Sequence, residues 1–403
     1  MELFWLEHKK LWRKKIVKIC VLLCFVYCVI FGSILSFQWF SFGSSDDYTS
    51  AFGNNFDGYT VIKDSQEYAL SFGGELTDET LQKIVSDYQQ MEADGMEEEL
   101  EKTDWQIVNS WLGTLYPELR DTSNYKTMIS YVDPDKLTGF YERRQQVLDE
   151  FLEVSGQVGA EKEFLHQIER KVEKPFHYEW VEGWSTLLGS MVADLGVVMA
   201  LFLGIVLSSL FAGEWHDNTS TLVLTTRNGW GKIALAKILT GLAFTVELFA
   251  LLAVSSVISQ LFFMGTAGWD MPIQNIKLIA VAPMNMLQAE IYEYAFVLLG
   301  AIGFAGIVMF ISAAVKNNVL TLLLSLAVVY GPMMIVEYLP YEMQKALDLI
   351  PLVGSSTDIF RTNTFRIFGK LIWSPYLLIT IPVLIGILCM PFAIKSWSRR
   401  MKA

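Results

Sequence analysis

Apolar and polar positions divide the chain into long apolar runs separated by charged stretches of very unequal length. A run of about 18 or more apolar residues is long enough to cross a bilayer as a helix. Six runs meet that measure: 16–40, 186–212, 234–264, 291–315, 319–339 and 371–394. The pattern predicts a mainly α, polytopic membrane protein with six transmembrane helices. One large polar segment, 41–183, separates the first run from the second.

Inside 41–183 the period changes, and the segment reads as a mostly helical α+β domain. Residues 59–62 and 68–72 are rich in Tyr, Val, Ile and Phe and read as short strands. Thr77 is placed to cap a helix running to residue 90, with Asp78 and Glu79 in its first turn. Further helices are expected over 104–115, 135–154 and 162–172, with Gly139 delaying the start of the second. The acidic stretch 92–101 is either a solvated face or a cation site, and no Asp-x-Asp-x-Asp-Gly spacing supports the latter. Lys174-Pro175 closes the domain, and Tyr178, Trp180 and Trp184 form an aromatic belt before the second run.

The distribution of basic residues predicts sidedness. In 1–18, Phe4 and Leu11 share a face, as do Trp5 and Trp12, while Lys10, Lys14 and Lys18 recur every four residues, and 1–15 reads as one helix. That is the pattern of an interfacial amphipathic helix with its basic face toward anionic headgroups. Lys and Arg cluster before the first run, and Asp46 and Asp47 follow it. Both termini are therefore expected in the cytoplasm of a cell-membrane protein, with 41–183 outside. The basic turn Lys316-Asn317-Asn318 and the basic tail 395–403 fit the inner side. The fifth-to-sixth connection is the exception, because it should be outside yet carries Lys345, Arg361, Arg366 and Lys370. With Pro340 and Pro351 it reads as short re-entrant or interfacial helices.

Composition narrows the function. The chain has 403 residues, 52% of them hydrophobic and 18% charged, which excludes a disordered chain. Its net charge of −12 is local to one segment: 41–183 holds 30 acidic and 12 basic residues, a net −18, and the rest is +6. No nucleic-acid footprint follows from this balance, though an acidic outer domain mildly favours cationic ligands. The cysteines, Cys20, Cys24, Cys28 and Cys389, all lie in apolar runs and read as packing residues. The 41–183 domain has none and is expected to fold on its own core. No His-Glu-x-x-His, Gly-x-Ser-x-Gly or Gly-x4-Gly-Lys-Ser/Thr pattern occurs, so no enzyme, cofactor or metal role is expected and no P-loop ATPase is present.

The stretch 213–237, GEWHDNTSTLVLTTRNGWGKIALAK, is a dense polar interruption between the second and third runs. It is either a solvated turn or a docking surface for a cytoplasmic partner. In Glu214, Thr219, Thr225, Thr226, Arg227 and Lys237 it resembles the loop between the second and third spans of ABC type-2 transporter permeases. Asn218 stands where that family usually has glycine. The amphipathic N-terminus, the six spans and the basic tail fit the same family, in its subfamily with a large insertion between spans one and two. The resemblance implies a permease subunit of an exporter, in a homodimer or heterodimer with a second permease. A cytoplasmic ABC ATPase would supply ATP and Mg chemistry. It implies ATPase-coupling roles for Glu214, Asn218, Thr219, Arg227, Lys232 and Lys237. A mechanotransmission subunit or a membrane sensor acting through its outer domain is the alternative.

Two carboxylates lie within spans: Asp194 in the second and Glu247 near the middle of the third. A charge at bilayer depth costs about 2.5–3.5 kcal/mol on insertion scales, so both are expected to face the bundle interior. They serve a substrate pathway, or they are bonded to neighbouring polar groups. Glu290 and Glu293 begin the fourth span, where negative charge suits a helix start.

Overall fold

A computed structural model describes residues 2–30, 66, 73–96, 105–121, 126–188, 192–217, 219, 231–354 and 362–399. The chain is mainly helical. Its first helices are α1 (Glu2–Arg13) and α2 (Lys15–Val29), joined at an elbow on Lys14. Among the described residues five helices are long and apolar enough to cross a membrane, consistent with a multi-pass membrane protein. They are α8 (Val192–His216), α9 (Lys232–Met264), α10 (Met286–Ala314), α11 (Asn318–Ile335) and α13 (Ser374–Arg399). The expected first span is described only to residue 30; positions 31–40 lie outside the described residues.

Side-chain size and capping set how these helices pack. Helices α10 and α13 cross so closely that a Cβ on Gly303 or Gly306 would strike the backbone of Pro382 or Gly386. Asn285 and Gln288 form a reciprocal capping box, which starts α10 at Met286, five residues before the apolar run expected from sequence. Residues 371–373, expected to begin the last span, instead belong to strand β4 (Lys370–Trp373) of a hairpin described below.

The polar domain holds α3 (Asp78–Ala93), α4 (Trp105–Leu115), α5 (Phe140–Val154), α6 (Ala160–Glu169) and the short α7 (Glu182–Thr186). Thr77 caps α3 by accepting from Thr80 N at 3.3 Å. Gly139, at φ +72°, delays α5 to Phe140 as its backbone freedom suggests. The strand positions expected at 59–62 and 68–72 lie outside the described residues. A short antiparallel pair, β1 (Gly74–Glu75) with β2 (His177–Tyr178), joins the two ends of the domain instead.

The domain does not close on 41–183 alone. The loop 265–285, between α9 and α10, completes its core. Leu148, Leu152 and Leu165 share one buried cluster with Met271, Ile273 and Ile279. Arg144 is fully buried and donates to the carbonyls of Leu278 at 2.7 Å and Ala280 at 3.2 Å. Trp111 Nε1 donates to Asn275 O at 3.2 Å, and Asn275 Nδ2 to His177 O at 3.0 Å.

A second segment also reaches the domain. Between α11 and α13 lie a helix, α12 (Tyr341–Leu347), and the hairpin β3 (Thr364–Ile367) with β4 (Lys370–Trp373). The hairpin replaces the purely helical connection expected there. Arg366 pairs with Glu161 of α6 at 2.5 Å, and Thr364 Oγ1 donates to Gln157 Oε1 at 2.8 Å. Of the described basic residues of this connection, Arg366 thus contacts the polar domain, while Lys345 pairs with Glu342 of its own helix.

Arg144 and Glu169 form a buried ion pair that solvent-exposed Lys174 joins, with Glu169 Oε1 at 2.5 Å from Arg144 and 2.8 Å from Lys174. Burial alone would raise the Glu169 carboxyl, but Lys174 and Arg144 hold it below its ordinary value. A carboxylate depressed in the folded state contributes stability above its unfolded pKa and loses it as pH falls through the folded one. The thermal midpoint of the full chain should therefore drop as pH falls below 4.5. Glu169→Gln should lower the midpoint at pH 7 and flatten that acid limb. An unchanged acid limb in Glu169→Gln would assign the loss to other carboxylates.

Candidate functional site

The polar interruption between α8 and α9 begins before α8 has ended. Helix α8 runs to His216, so Glu214 sits in its last turn, and Thr219 N closes the end by donating to Glu214 O at 3.0 Å. Just before this turn, the Ser312 hydroxyl of α10 enters the helix. It accepts from Phe211 N and Ala212 N, both at 3.1 Å, and donates to Ser208 O at 2.7 Å. A side chain set into a helix backbone in this way fixes the direction of the following turn.

Glu214 is 4% exposed and carries most of the contacts. Lys10 Nζ of α1 donates to its Oε1 at 2.6 Å, and Lys237 Nζ of α9 donates to the same oxygen at 2.8 Å. Thr219 Oγ1 donates to the other oxygen at 2.5 Å. Lys237 is itself buried and donates to Glu7 Oε2 at 2.7 Å. One carboxylate therefore ties three helices together. Partial burial pulls Lys10 down, yet the hydrogen bond and charge of Glu214, with Glu7 and Asp217, hold it above the ordinary lysine value. Lys14, at the elbow, is pushed below that value by burial and by the ammonium groups of Lys237 and Lys10, and it donates to Ser209 Oγ at 2.9 Å.

Aromatic contacts bring further chain ends to the same place. Lys316 Nζ lies 4.2 Å from the centre of the Trp215 ring, and Trp215 meets Trp397 of α13 at 6.1 Å between ring centres. The ends of α10 and α13 thus meet the end of α8, which α1 and the start of α9 reach through Glu214.

No protein-family model, curated protein or solved structure matches this chain. The reading of the site rests on its own geometry.

Of the residues singled out from sequence, Glu214, Thr219 and Lys237 come together. Lys232 is the exposed first residue of α9. Asn218, Thr225, Thr226 and Arg227 lie outside the described residues, as does the side chain of Asp194 on α8. The lysines that meet Glu214 come from α1 and α9, not from the loop.

Glu247 does not face the bundle interior as its depth suggested. Its side chain is 41% exposed and turns to α1, accepting from Trp12 Nε1 at 3.0 Å and meeting His8 Nε2 at 3.2 Å. The reason is helix length. At about 1.5 Å per residue α9 is about 50 Å long, against about 30 Å for a hydrocarbon core. Helix α1 packs along its first turns, where Trp12 also stacks edge-on to Phe244. Glu247 therefore sits among polar partners at the level of α1.

Two other acids are more deeply placed than sequence suggested. Glu290 and Glu293 are 3% and 0% exposed, inside α10 rather than at its start. Tyr294 follows Glu290 by one helical turn. The signal was the Asn285-x-x-Gln288 pair, which fixes the helix start upstream and moves both acids into its second and third turns.

What the arrangement can do is mechanical: displacement of the segment after α8 is carried through Glu214 to α9 and α1 at once.

Proposed function

We propose that this chain is the membrane-spanning permease subunit of an ATP-binding cassette exporter. The reading has six spans, with α2 and the residues after it forming the first. It places both termini in the cytoplasm and the polar domain outside. Substrate moves outward when a separate cytoplasmic ATPase closes, and a second permease, identical or not, completes the transporter. The observation that carries this reading is the Glu214 junction, a buried ionic joint beside a polar loop that leads straight into α9. A loop that only reverses the chain has no need of a buried carboxylate shared by two lysines from other helices. In this scheme residues 218–232 meet the ATPase, and Glu214, Thr219 and Lys237 pass its motion to the spans.

The grip of the polar domain on 265–285 and 362–373 favours a second reading, in which that domain passes motion to an outside partner without translocation. Measuring substrate flux separates the two.

Sidedness is tested by labelling. Single cysteines at Ser45, Glu98 and Thr266 should react with an impermeant maleimide in intact cells, and ones at Asn218 and Lys232 should react only after permeabilisation. Labelling of Asn218 from outside would remove the docking surface from the cytoplasm, and the permease reading with it. The partner is tested by affinity purification of the tagged chain from its native membrane, where an ATPase carrying a P-loop should co-purify in stoichiometric amount.

A further inference from the structure

Successive residues of a helix turn by about 100°, which puts Glu2, Trp5, Leu6, Lys9 and Arg13 on one side of α1. All five are exposed, Trp5 at 62% and Leu6 at 64%. The helix cannot roll to bury them, because its other side is already held. Leu11 is buried there, Trp12 bonds Glu247, and Lys10 at the edge reaches Glu214. Trp5 and Leu6 are therefore covered from outside the chain.

The neighbouring helix indicates what covers them. Past the elbow, Ile16, Ile19 and Leu23 of α2 are 47%, 52% and 51% exposed, with Lys15 and Lys18 beside the first of them. In a multi-pass membrane protein hydrocarbon covers such a row. The bilayer surface then falls at Lys15 and Lys18, where α2 bends into α1. A face that mixes Trp and Leu with Lys and Arg suits that depth: the indole and the leucine sink toward the acyl chains, and the long cations reach up to phosphate.

We infer that this face of α1 lies in the headgroup layer and binds anionic phospholipids through Lys9 and Arg13, joined by Lys15 and Lys18 at the foot of α2. Glu2 is the one exposed acid among residues 2–18, and Lys10 is already neutralised by Glu214. The surface thus keeps an excess of positive charge that a zwitterionic lipid leaves unanswered. The spacing of Lys10, Lys14 and Lys18 marks a different face for this role, and Lys10 and Lys14 turn from it to Glu214 and Ser209. Lys9 adjoins the lysine that holds Glu214, so a lipid fixing the outer face of α1 also fixes one arm of the junction. The docking needs membrane insertion but neither an ATPase nor transport, so its test stands apart from the permease reading.

Hydrogen–deuterium exchange of the purified full chain reads the contact in nanodiscs of phosphatidylcholine, with and without about one third phosphatidylglycerol. Amides of α1 should exchange at least threefold more slowly in the anionic discs, and those of α5 equally in both. Raising the salt from about 0.15 M to about 1 M shortens the Debye length from about 8 to about 3 Å and should erase most of the difference. Lys9→Gln with Arg13→Gln, both on the outer face, should abolish the difference and leave exchange in phosphatidylcholine unchanged. Lys171→Gln, an exposed change in the polar domain, should preserve it. Glycerol 3-phosphate added to phosphatidylcholine discs should give no protection. Equal exchange of α1 in the two lipids, or a difference that survives in the double variant, would overturn the inference. So would protection by glycerol 3-phosphate, which would make the face a site for free phosphate. Protection that appears only when a co-purifying protein is added would give the face to that partner and overturn it too.

Discussion

Residues 73–188 expressed alone should fail to unfold cooperatively, and joining residues 265–285 to them through a short linker should restore a cooperative transition. Length and the lack of cysteine suggest a free-standing domain of ordinary size, but the loop adds side chains and acceptors to its core. The loop supplies two of the acceptors around buried Arg144, and a hydrogen bond to a charged group is worth about 1.5–3 kcal/mol. It also supplies Met271, Ile273 and Ile279 to the cluster around Leu148, Leu152 and Leu165. Each such side chain contributes about 1.5–3 kcal/mol when fully buried. Together these losses rival the whole stability of a typical domain, about 5–15 kcal/mol. Circular dichroism through thermal unfolding reads the result. A cooperative transition in 73–188 alone, at the temperature of the joined protein, would show that the loop merely rests on a finished core.

The same comparison shows what the sequence could and could not specify. Elements governed by local rules were legible: the Thr77 cap, the delay at Gly139 and the long apolar helices follow from spacing of a few residues. Long-range contacts were not. Nothing near Arg144 announces that its acceptors lie more than a hundred residues away at Leu278 and Ala280. Glu214 was legible as a junction residue because an acid ends an apolar run there. Thr219 and Lys237 were legible with it, but Lys10 was not, since it belongs to a segment whose fourfold spacing reads equally well as a headgroup face. The structure divides that face: Lys10 and Lys14 turn inward to Glu214 and Ser209, while Lys9, Arg13, Lys15 and Lys18 are exposed. The interior placement expected for Glu247 failed for a related reason. Hydropathy locates a run, but it does not say how far a helix extends past the membrane or which helix lies beside it.

Replacing Glu214 should be the most disruptive single change at the junction, and its effect should be reversible by a second one. Glu214→Ala leaves Lys237, 1% exposed, with Glu7 as its remaining carboxylate among the bonds described, and removes the acceptor of Lys10. Breaking a buried pair from one side costs about 3–5 kcal/mol, mostly because the other charge stays buried. The full chain in detergent should lose yield and thermal stability accordingly. Lys10→Ala should cost only about 0–1 kcal/mol, because its side chain is half exposed and screened. Combining Glu214→Ala with Lys237→Met removes both buried charges and should recover most of the stability, since an apolar replacement of a buried pair is often neutral. That double variant separates folding from transmission. Under the proposed permease role, the double variant reconstituted with the co-purifying ATPase should still bind it, the ATPase rate should no longer respond to substrate, and transport should fall at least tenfold. Recovery of both stability and transport would make the joint a packing feature and remove it from the mechanism. If stability fails to recover, the three helices are not held by mutual neutralisation at Glu214, and the ionic account of the junction falls.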